Sequence, residues 1–194
     1  MKKMLSLLLI LITALSFMPT NAFATTTIAA AYDATTNIRA ASIADDVNFS
    51  DNALLTMPGN FSINTVADPG AATEVVTTAV TATTSANGTV TYTALHTGAA
   101  SIFGRIGVSA PFREIVAINL NGTGSLTLYG DALIDNGVNM GANSTLILID
   151  GVELNATASS ISNTTTNQGT LVLGSGSSVT GTVGSTGVGL NTIT

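Results

Sequence analysis

The sequence predicts an all-β protein: a parallel β-helix (β-solenoid) with an irregular N-terminal cap after a cleaved signal peptide. The first observation is a strand phrase that recurs along the second half of the chain. Each copy has a small or turn-forming residue, a hydroxyl residue, and then two apolar residues separated by one position. A repeated unit that cannot bury its own apolar face has to stack on its neighbours. The four copies occupy residues 88–93, 124–129, 144–149 and 169–174.

The spacing of the phrase is the second observation. Leu126, Leu146 and Leu171 occupy the same position in successive copies. Their steps fall within the range of about 20–50 residues that is typical of solenoids and related arrays. The interval from Val90 to Leu126 is close to two such steps. A β-sandwich also has many short strands between turns, but one phrase recurring at coil-sized spacing favours a β-helix.

Residues 1–24 are predicted to be a signal peptide. Lys2 and Lys3 give a positive start, residues 5–18 form an apolar segment, and residues 22–24 are a small-x-small cleavage site. A membrane-spanning helix needs about 20 apolar residues, so we expect cleavage before Thr25 and no anchor. We also expect no lipid-spanning segment in the mature chain.

Residues 25–85 are predicted to be a Thr/Ala-rich N-terminal cap that includes the first strands. Strand or strand-edge segments are expected at 45–49 and 54–57 because of their apolar and β-branched content. The stretch 28–34 is a candidate helix, although no residue caps it well. Solenoids need an atypical end unit that shields the first coil.

The β-helix repeats are expected to fill residues 86–194. In residues 126–128 and 146–148 the leucines should point inward and the middle residue outward, because side chains alternate along a strand. The rhythm continues to Thr194 without a capping element, which predicts an open sheet edge that invites pairing with another chain. We therefore expect the chain to be the beginning of something longer. Further short strands are expected at 115–120, 132–134, 151–154 and 179–183.

Charge and cysteine content exclude several classes of protein. The formal net charge is -6, and the only lysines are Lys2 and Lys3 of the signal. Nucleic-acid binding by counterion release needs clustered Lys and Arg, so a nucleic-acid partner is excluded. The chain has no cysteine. Its stability therefore has to come from backbone ladders and a regular apolar interior instead of disulfides.

No catalytic, cofactor-binding or metal residue is predicted, and no cofactor. The only histidine, His96, follows a strand at a turn, which favours an exposed loop histidine over a member of a hydrolytic triad. The nucleophile-elbow pattern G-x-S-x-G does not occur. Asp45, Asp46 and Asp51 could bind calcium, as could the pair 131 and 135, but solvated turn acids are the favoured interpretation.

Other charged residues form weaker candidate sites. Asp150 and Glu153 are close in sequence, but a glycosidase needs two carboxylates across a cleft, and stacked coils offer no evident cleft. Arg105, Arg113 and Glu114 interrupt an otherwise uncharged surface. They are interpreted as marking a loop that leaves the solenoid. Such a loop can bind a partner, and a simple solvated loop is the favoured alternative.

Four stretches of the chain resemble the passenger region of rickettsial autotransporters, of the outer-membrane protein B type of surface antigen. The resemblance covers about residues 95–190, and the N-terminal part resembles the family only in composition. Its motifs are degenerate. The stretches that carry it are residues 98–107, 115–120, 124–128 and 140–148, and segments 170–173 and 179–184 are also similar to repeats of that family.

The resemblance implies a type V secreted protein whose passenger reaches the cell surface as a β-helix and works in adhesion to host cells or as a surface layer. In such proteins a C-terminal β-barrel sits in the outer membrane. The alternating amphipathic strands of a barrel are not found in this sequence, so we expect an N-terminal fragment without the barrel. Surface display is therefore in question, and the periplasm is the other expected location.

Three functions remain open at this stage. The first is a non-enzymatic, exported passenger fragment that acts in adhesion or surface-layer formation. The second is a truncated gene product, retained in the periplasm, with no activity of its own. The third and least favoured is a β-solenoid carbohydrate-active enzyme, which needs acidic and basic residues along one groove. The expected partners are a host-cell surface protein or a second copy of the chain bound at the open solenoid end.

Overall fold

The computed structural model describes residues 25–28, 32–33, 42–70, 73–108, 113–141, 143–184 and 188–194. The predicted signal peptide lies outside the described residues. Within them the chain is all-β, with one short 3-10 helix at Thr65–Ala67 and no α-helix. The prediction of an all-β fold built from parallel strands is confirmed.

The strands are short and follow one another closely along the chain. Most have three or four residues, because turns interrupt the β-branched and leucine-rich segments at short intervals. In chain order they are β1 (Thr26–Ile28), β2 (Tyr32–Asp33), β3 (Ser42–Ile43), β4 (Val47–Phe49), β5 (Leu54–Met57), β6 (Ser62–Ile63), β7 (Thr78–Ala82), β8 (Thr89–Tyr92), β9 (Ala99–Ile102), β10 (Arg105–Ile106), β11 (Ala117–Leu120), β12 (Ser125–Leu128), β13 (Ala132–Ile134), β14 (Gly137–Met140), β15 (Thr145–Leu148), β16 (Glu153–Asn163), β17 (Gln168–Leu173), β18 (Ser178–Val183) and β19 (Leu190–Ile193).

Two parallel sheets contain these strands and nearly close around a shared core. The long sheet has the order β1-β4-β7-β10-β13-β16-β14-β11-β8-β5-β2, with β18 paired to β16. The short sheet has the order β19-β17-β15-β12-β9-β6-β3. Among β1 to β15, each described pairing joins a strand to the third strand before or after it along the chain. The long β16 pairs with both β13 and β14, so it runs through both halves of the long sheet.

The inward-facing rows are apolar and stacked in register. In the short sheet Ala100, Leu126, Leu146 and Leu171 pair in sequence, and each is at most 1% exposed. The strand pattern in β12 and β15 alternates between partly exposed and buried residues. Because side chains alternate along a strand, one face of each strand fills the core and the other faces solvent. The predicted inward orientation of the leucines is confirmed.

One copy of the repeated phrase does not belong with the other three. Copies two, three and four form β12, β15 and β17, which are neighbours in the short sheet. The first copy forms β8, which pairs with β5 and β11 in the long sheet. The partner of Leu126 in the preceding turn of the chain is Ala100 instead of Val90. The interpretation of the interval from Val90 to Leu126 as two repeat steps is therefore wrong. The physical reason is that any strand with one buried face produces the same apolar-x-apolar phrase.

The region 25–85 takes part in the same two sheets as the region after it. The expected strands at 45–49 and 54–57 are present as β4 and β5. The candidate helix at 28–34 is wrong for its described residues, which end β1 and form β2. β4 pairs with β7, and β5 pairs with β8, so no break in strand pairing falls at residue 86.

A ladder of polar side chains lies on the outer surface of the long sheet. Asn119 Nδ2 donates to Thr91 Oγ1 at 3.0 Å, and Asn139 Nδ2 donates to Asn119 Oδ1 at 2.9 Å. Ser162 Oγ donates to Asn139 Oδ1 at 2.6 Å. These residues are direct partners in successive strand pairings. The ladder therefore links β8, β11, β14 and β16 through side chains as well as through the backbone.

Gly88 is required because the ring of Phe49 lies directly against its backbone. Its backbone has a φ of 80°, and an added Cβ would lie 2.0 Å from Cγ of the fully buried Phe49. Gly151 has a similar φ of 81°, but an added Cβ there would meet no atom of a non-adjacent residue within 4 Å. L-residues with a side chain disfavour this left-handed conformation. A side chain at position 88 is thus opposed by the backbone conformation and by the Phe49 ring, whereas a side chain at position 151 is opposed by the backbone conformation alone.

Candidate functional site

A charged row crosses the outer surface of the long sheet at one place. Ile106 pairs with Ala132, and Ala132 pairs with Leu154. Because these three residues are in register, the residues just before them also lie side by side. Those residues are Arg105, Asp131 and Glu153.

The local backbone explains why Arg105 projects where it does. The pairing of β10 with β7 shifts register between Arg105 and Ile106, as at a β-bulge or a similar irregularity. Bulges re-aim side chains and are common beside functional sites. The preceding Gly104 has a φ of 135°, and an added Cβ would lie 2.4 Å from the carbonyl oxygen of Thr77. Glycine is therefore needed to bring these backbones together.

Two carboxylates contact the guanidinium of Arg105, one from Asp131 in the charged row and one from Glu74 outside it. Arg105 Nη2 lies 3.4 Å from Glu74 Oε1 and 3.5 Å from Asp131 Oδ2. Asp131 Oδ1 accepts a hydrogen bond from the backbone N–H of Glu153 at 2.9 Å. The Thr180 hydroxyl donates to Glu153 Oε1 at 3.3 Å. The Arg105 side chain is 43% exposed, and its Nε is buried with no hydrogen-bond partner among the described residues.

These side chains line a cavity of about 310 Å³, which we call the groove. Its walls combine charged, amide and aliphatic groups. This volume is at the lower end of the range typical of small-molecule sites. The lining residues are Arg105, Ile106, Gly107, Val108, Asp131, Ala132, Leu133, Glu153 and Asn155.

The groove contains both donors and acceptors of hydrogen bonds. Its lining contains no serine, threonine, cysteine or histidine, and its charged groups are Arg105, Asp131 and Glu153. Among the described residues, no group of three or more His, Cys, Asp or Glu side chains is placed to hold a metal ion. The groove offers hydrogen-bond donors on Arg105, acceptors on Glu153, and both on the Asn155 amide.

The other acids considered in the sequence lie apart from the groove. Asp46 accepts hydrogen bonds from the Thr25 hydroxyl at 3.1 and 3.2 Å. Asp51 is exposed and accepts from the backbone of Asn52. Asp150 is exposed and accepts from the backbone N–H of Ser175. Asp51 therefore acts within its own turn, whereas Asp46 and Asp150 bind residues that lie 21 and 25 positions away along the chain. Of the candidate pair Asp150 and Glu153, only the second residue lines the groove.

The segment of Arg113 and Glu114 is divided between solvent and core. Arg113 is exposed, and its backbone N–H donates to the Val108 carbonyl at 2.9 Å, which closes a loop. Glu114 is 9% exposed and accepts a hydrogen bond from the Ser85 hydroxyl at 2.5 Å. The interior of that loop, residues 109–112, lies outside the described residues.

His96 is buried, so the prediction of an exposed loop histidine is wrong. Its side chain and backbone together are 0% exposed. Nδ1 lies 3.0 Å from Asn60 Oδ1, and Nε2 lies 3.1 Å from the Ser125 carbonyl oxygen. The ring centroid is 4.9 Å from that of Tyr92. The turn after β8 folds inward because these partners satisfy the imidazole, an arrangement that local turn residues do not reveal.

The Asn60 amide orientation follows from its other contacts. Asn60 Oδ1 also accepts the backbone N–H groups of Thr97 at 3.1 Å and Gly98 at 2.8 Å. Both ring nitrogens of His96 therefore face oxygen acceptors, and a neutral imidazole can donate to only one of them. Burial lowers the pKa of His96, and hydrogen bonds to the backbone of Ser125 and Gly59 partly oppose that shift.

Tyr92 shows the same effect of burial. Its side chain is fully buried, and its hydroxyl donates to the Phe61 carbonyl at 3.0 Å. Burial raises the pKa of Tyr92 far above its ordinary value, because the charged phenolate would lose its hydration. Both titratable groups are therefore structural elements of the core.

Comparison with protein-family models, with curated proteins and with solved structures finds no significant match. No described helix has the length and apolar character needed to cross a membrane.

Proposed function

We propose that the chain is a parallel β-helix from an exported, non-enzymatic surface protein, a fragment of an autotransporter-type passenger. The observation that carries the proposal is the regular pairing of each strand with the third strand along the chain, from β1 to β15. A chain that passes through three strands and then returns beside the first builds a stack of coils. Such stacks form extended surfaces instead of one deep pocket.

The distribution of side chains also supports a non-enzymatic role. The inward rows are occupied mostly by stacked aliphatic residues, so they provide packing. His96, the residue best suited to acid–base chemistry near neutral pH, has both ring nitrogens engaged inside the protein. The outward rows away from the groove are mostly hydroxyl and amide side chains, which suit a solvated or partner-binding surface.

The signal peptide and the family resemblance support export. Residues 1–24 have the positive start, apolar segment and cleavage site of an export signal. Adhesion to a host-cell surface protein, surface-layer formation and self-association at the last coil are the roles consistent with this location. The proposal favours the cell surface, and retention in the periplasm is the competing outcome.

Expression of the full chain in a Gram-negative host tests this proposal. The mass of the purified protein should correspond to a first residue of Thr25. Cell fractionation then locates the protein, and protease treatment of intact cells reports surface exposure. Digestion on intact cells supports the surface role. Processed protein that is protected until the outer membrane is opened would overturn surface display and support periplasmic retention. An unprocessed cytoplasmic product would overturn the export proposal itself.

A further inference from the structure

We propose that the groove is a binding site for a neutral saccharide ring. Its lining provides a charged side, formed by Arg105, Asp131 and Glu153, and an uncharged side that includes Leu133 and Asn155. Leu133 and Asn155 are direct partners in neighbouring strands. A mixed surface of this kind is typical of small-molecule sites, where a few polar groups orient the ligand against apolar walls.

The protein leaves part of the hydrogen-bonding capacity of the groove for a ligand. Both carboxylate contacts of Arg105 are made through Nη2, at 3.4 and 3.5 Å, and the side chain is 43% exposed. A guanidinium has five N–H donors, so the exposed edge retains donors for another partner. Glu153 is exposed, and its contact with Thr180 is long, at 3.3 Å. Donors and acceptors thus lie on one wall.

The balance of charges favours a neutral ligand over an anion. An anion would meet a lining that carries two carboxylates, Asp131 and Glu153, against the single guanidinium of Arg105. A metal ion would need more convergent ligands than the described residues supply. An apolar ligand would leave the charged wall desolvated without partners. An organic cation is the competing class of ligand, because the lining carries two carboxylates and one guanidinium. A saccharide is neutral, and each of its hydroxyl groups both donates and accepts.

The arrangement of the two groove carboxylates indicates binding without cleavage. Asp131 and Glu153 lie side by side in neighbouring strands, and Asp131 accepts the backbone N–H of Glu153. A glycosidase needs two carboxyl groups that are available to the substrate, one as acid and one as nucleophile or base. In the groove the second oxygen of Asp131 contacts Arg105, so both oxygens of Asp131 are engaged by the protein and only Glu153 offers a carboxylate to a ligand. This inference rests on the groove alone and does not depend on where the protein is located.

Amide NMR titrations of isotope-labelled protein test the proposal. The probes are D-glucose, D-galactose, D-mannose and N-acetyl-D-glucosamine, each added separately. We expect at least one probe to shift the amide signals of Gly107, Ala132 and Leu133, with a Kd on the order of 1 mM, as is usual for one small ring in a shallow site. No shift with any of the four probes, or shifts confined to other parts of the protein, would overturn the proposal.

Two variants and one matched control localise the binding. Glu153→Gln and Asn155→Ala change partly or fully exposed side chains, so their spectra should remain those of a folded protein. Each should weaken binding about tenfold, the effect of losing one hydrogen bond to a charged or amide group. Asn48→Ala makes the same change as Asn155→Ala on the same face of the long sheet, outside the groove. It should bind as tightly as the wild type.

A tetralysine peptide serves as the competing probe. If the peptide shifts the groove signals and the four saccharides do not, the site recognises cations and the saccharide proposal is wrong. Equal saccharide affinity in the wild type, Glu153→Gln and Asn155→Ala would also overturn it. Saccharide binding that is weakened about tenfold in each of the two variants and unchanged in Asn48→Ala supports it.

Discussion

Replacing Leu146 tests whether the inward row stabilises the stack. Leu146 is 0% exposed and lies in register between Leu126 and Leu171. Leu146→Ala removes three buried carbons, worth about 2.4 kcal/mol at about 0.8 kcal/mol each. The flanking strands are fixed by ladder hydrogen bonds, so the space cannot close fully. The cavity raises the expected loss in the free energy of unfolding to about 3–5 kcal/mol.

The neighbouring outward position provides the control. Ile147 lies on the same strand, is partly exposed and faces away from the core. Ile147→Thr keeps a β-branched side chain and should cost less than about 1 kcal/mol. For a chain of this size, a loss of about 1 kcal/mol lowers Tm by about 2–4 °C. Leu146→Ala should therefore lower Tm by roughly 6–20 °C, against less than about 4 °C for Ile147→Thr, measured by far-UV circular dichroism.

A charge at the same position gives the stronger form of the test. Leu146→Asp adds the desolvation of a carboxylate, several kcal/mol, to the loss of packing. Typical domains are stable by only about 5–15 kcal/mol, so the cooperative melt of the second half of the chain should disappear. An unchanged melting curve for Leu146→Asp, or equal losses for Leu146→Ala and Ile147→Thr, would refute stacking at this position.

Three further predictions concern other parts of the core and surface. Because burial lowers the pKa of His96, the unfolded chain takes up a proton first as the pH falls below about 6.5. Stability should therefore fall in urea titrations between about pH 7.5 and pH 5, by at most about 1.4 kcal/mol per pH unit from this group. The fall should be smaller in His96→Gln, and equal falls in both proteins would contradict the assignment. Asn139→Ala removes two hydrogen bonds of the polar ladder and should lower the free energy of unfolding by about 1–2 kcal/mol in the same assay. The control Asn136→Ala changes an exposed side chain and should lower it by less than about 0.5 kcal/mol. Similar losses in the two variants would mean that the ladder adds no stability. Gly151→Ala should lower the free energy of unfolding by about 1–2 kcal/mol, from backbone strain alone. Gly88→Ala should lower it by about 1–3 kcal/mol more, because of the buried phenylalanine ring beside it. Equal Tm values for these two variants would show that the ring moves freely.

The short sheet is predictable because its repeats are local in sequence. β12, β15 and β17 carry the same phrase at coil-sized intervals, and they pair directly in that register. The first copy of the phrase, in β8, belongs to the other sheet. A phrase of one inward and one outward position identifies a strand, but it does not identify the sheet to which the strand belongs. The lengths of the connecting segments determine that, and they vary along this chain.

The groove could not be predicted from residue spacing. Arg105, Asp131 and Glu153 are far apart in the sequence, and they share no motif. They meet because each directly precedes an inward residue of a strand in the long sheet, namely Ile106, Ala132 and Leu154. A charged residue directly before an inward strand residue is visible in the sequence, but it indicates a shared site only after the strand pairing is known. The burial of His96 escaped prediction for a related reason, since its partners Asn60 and Ser125 are distant in sequence.

Inward and outward strand positions differ in how freely their residues can be substituted. The inward rows are filled with aliphatic side chains in contact with the next strand, so substitutions there are constrained by stability. The outward rows contribute less to the core, and a charged residue at an outward position alters the surface without disturbing the packing. The groove uses only outward positions and backbone between them. Glu153→Gln should therefore leave Tm within about 2 °C of the wild type while weakening saccharide binding about tenfold. If Glu153→Gln lowered both the Tm and the saccharide affinity, the charged row would contribute to stability and would not be a separate binding surface.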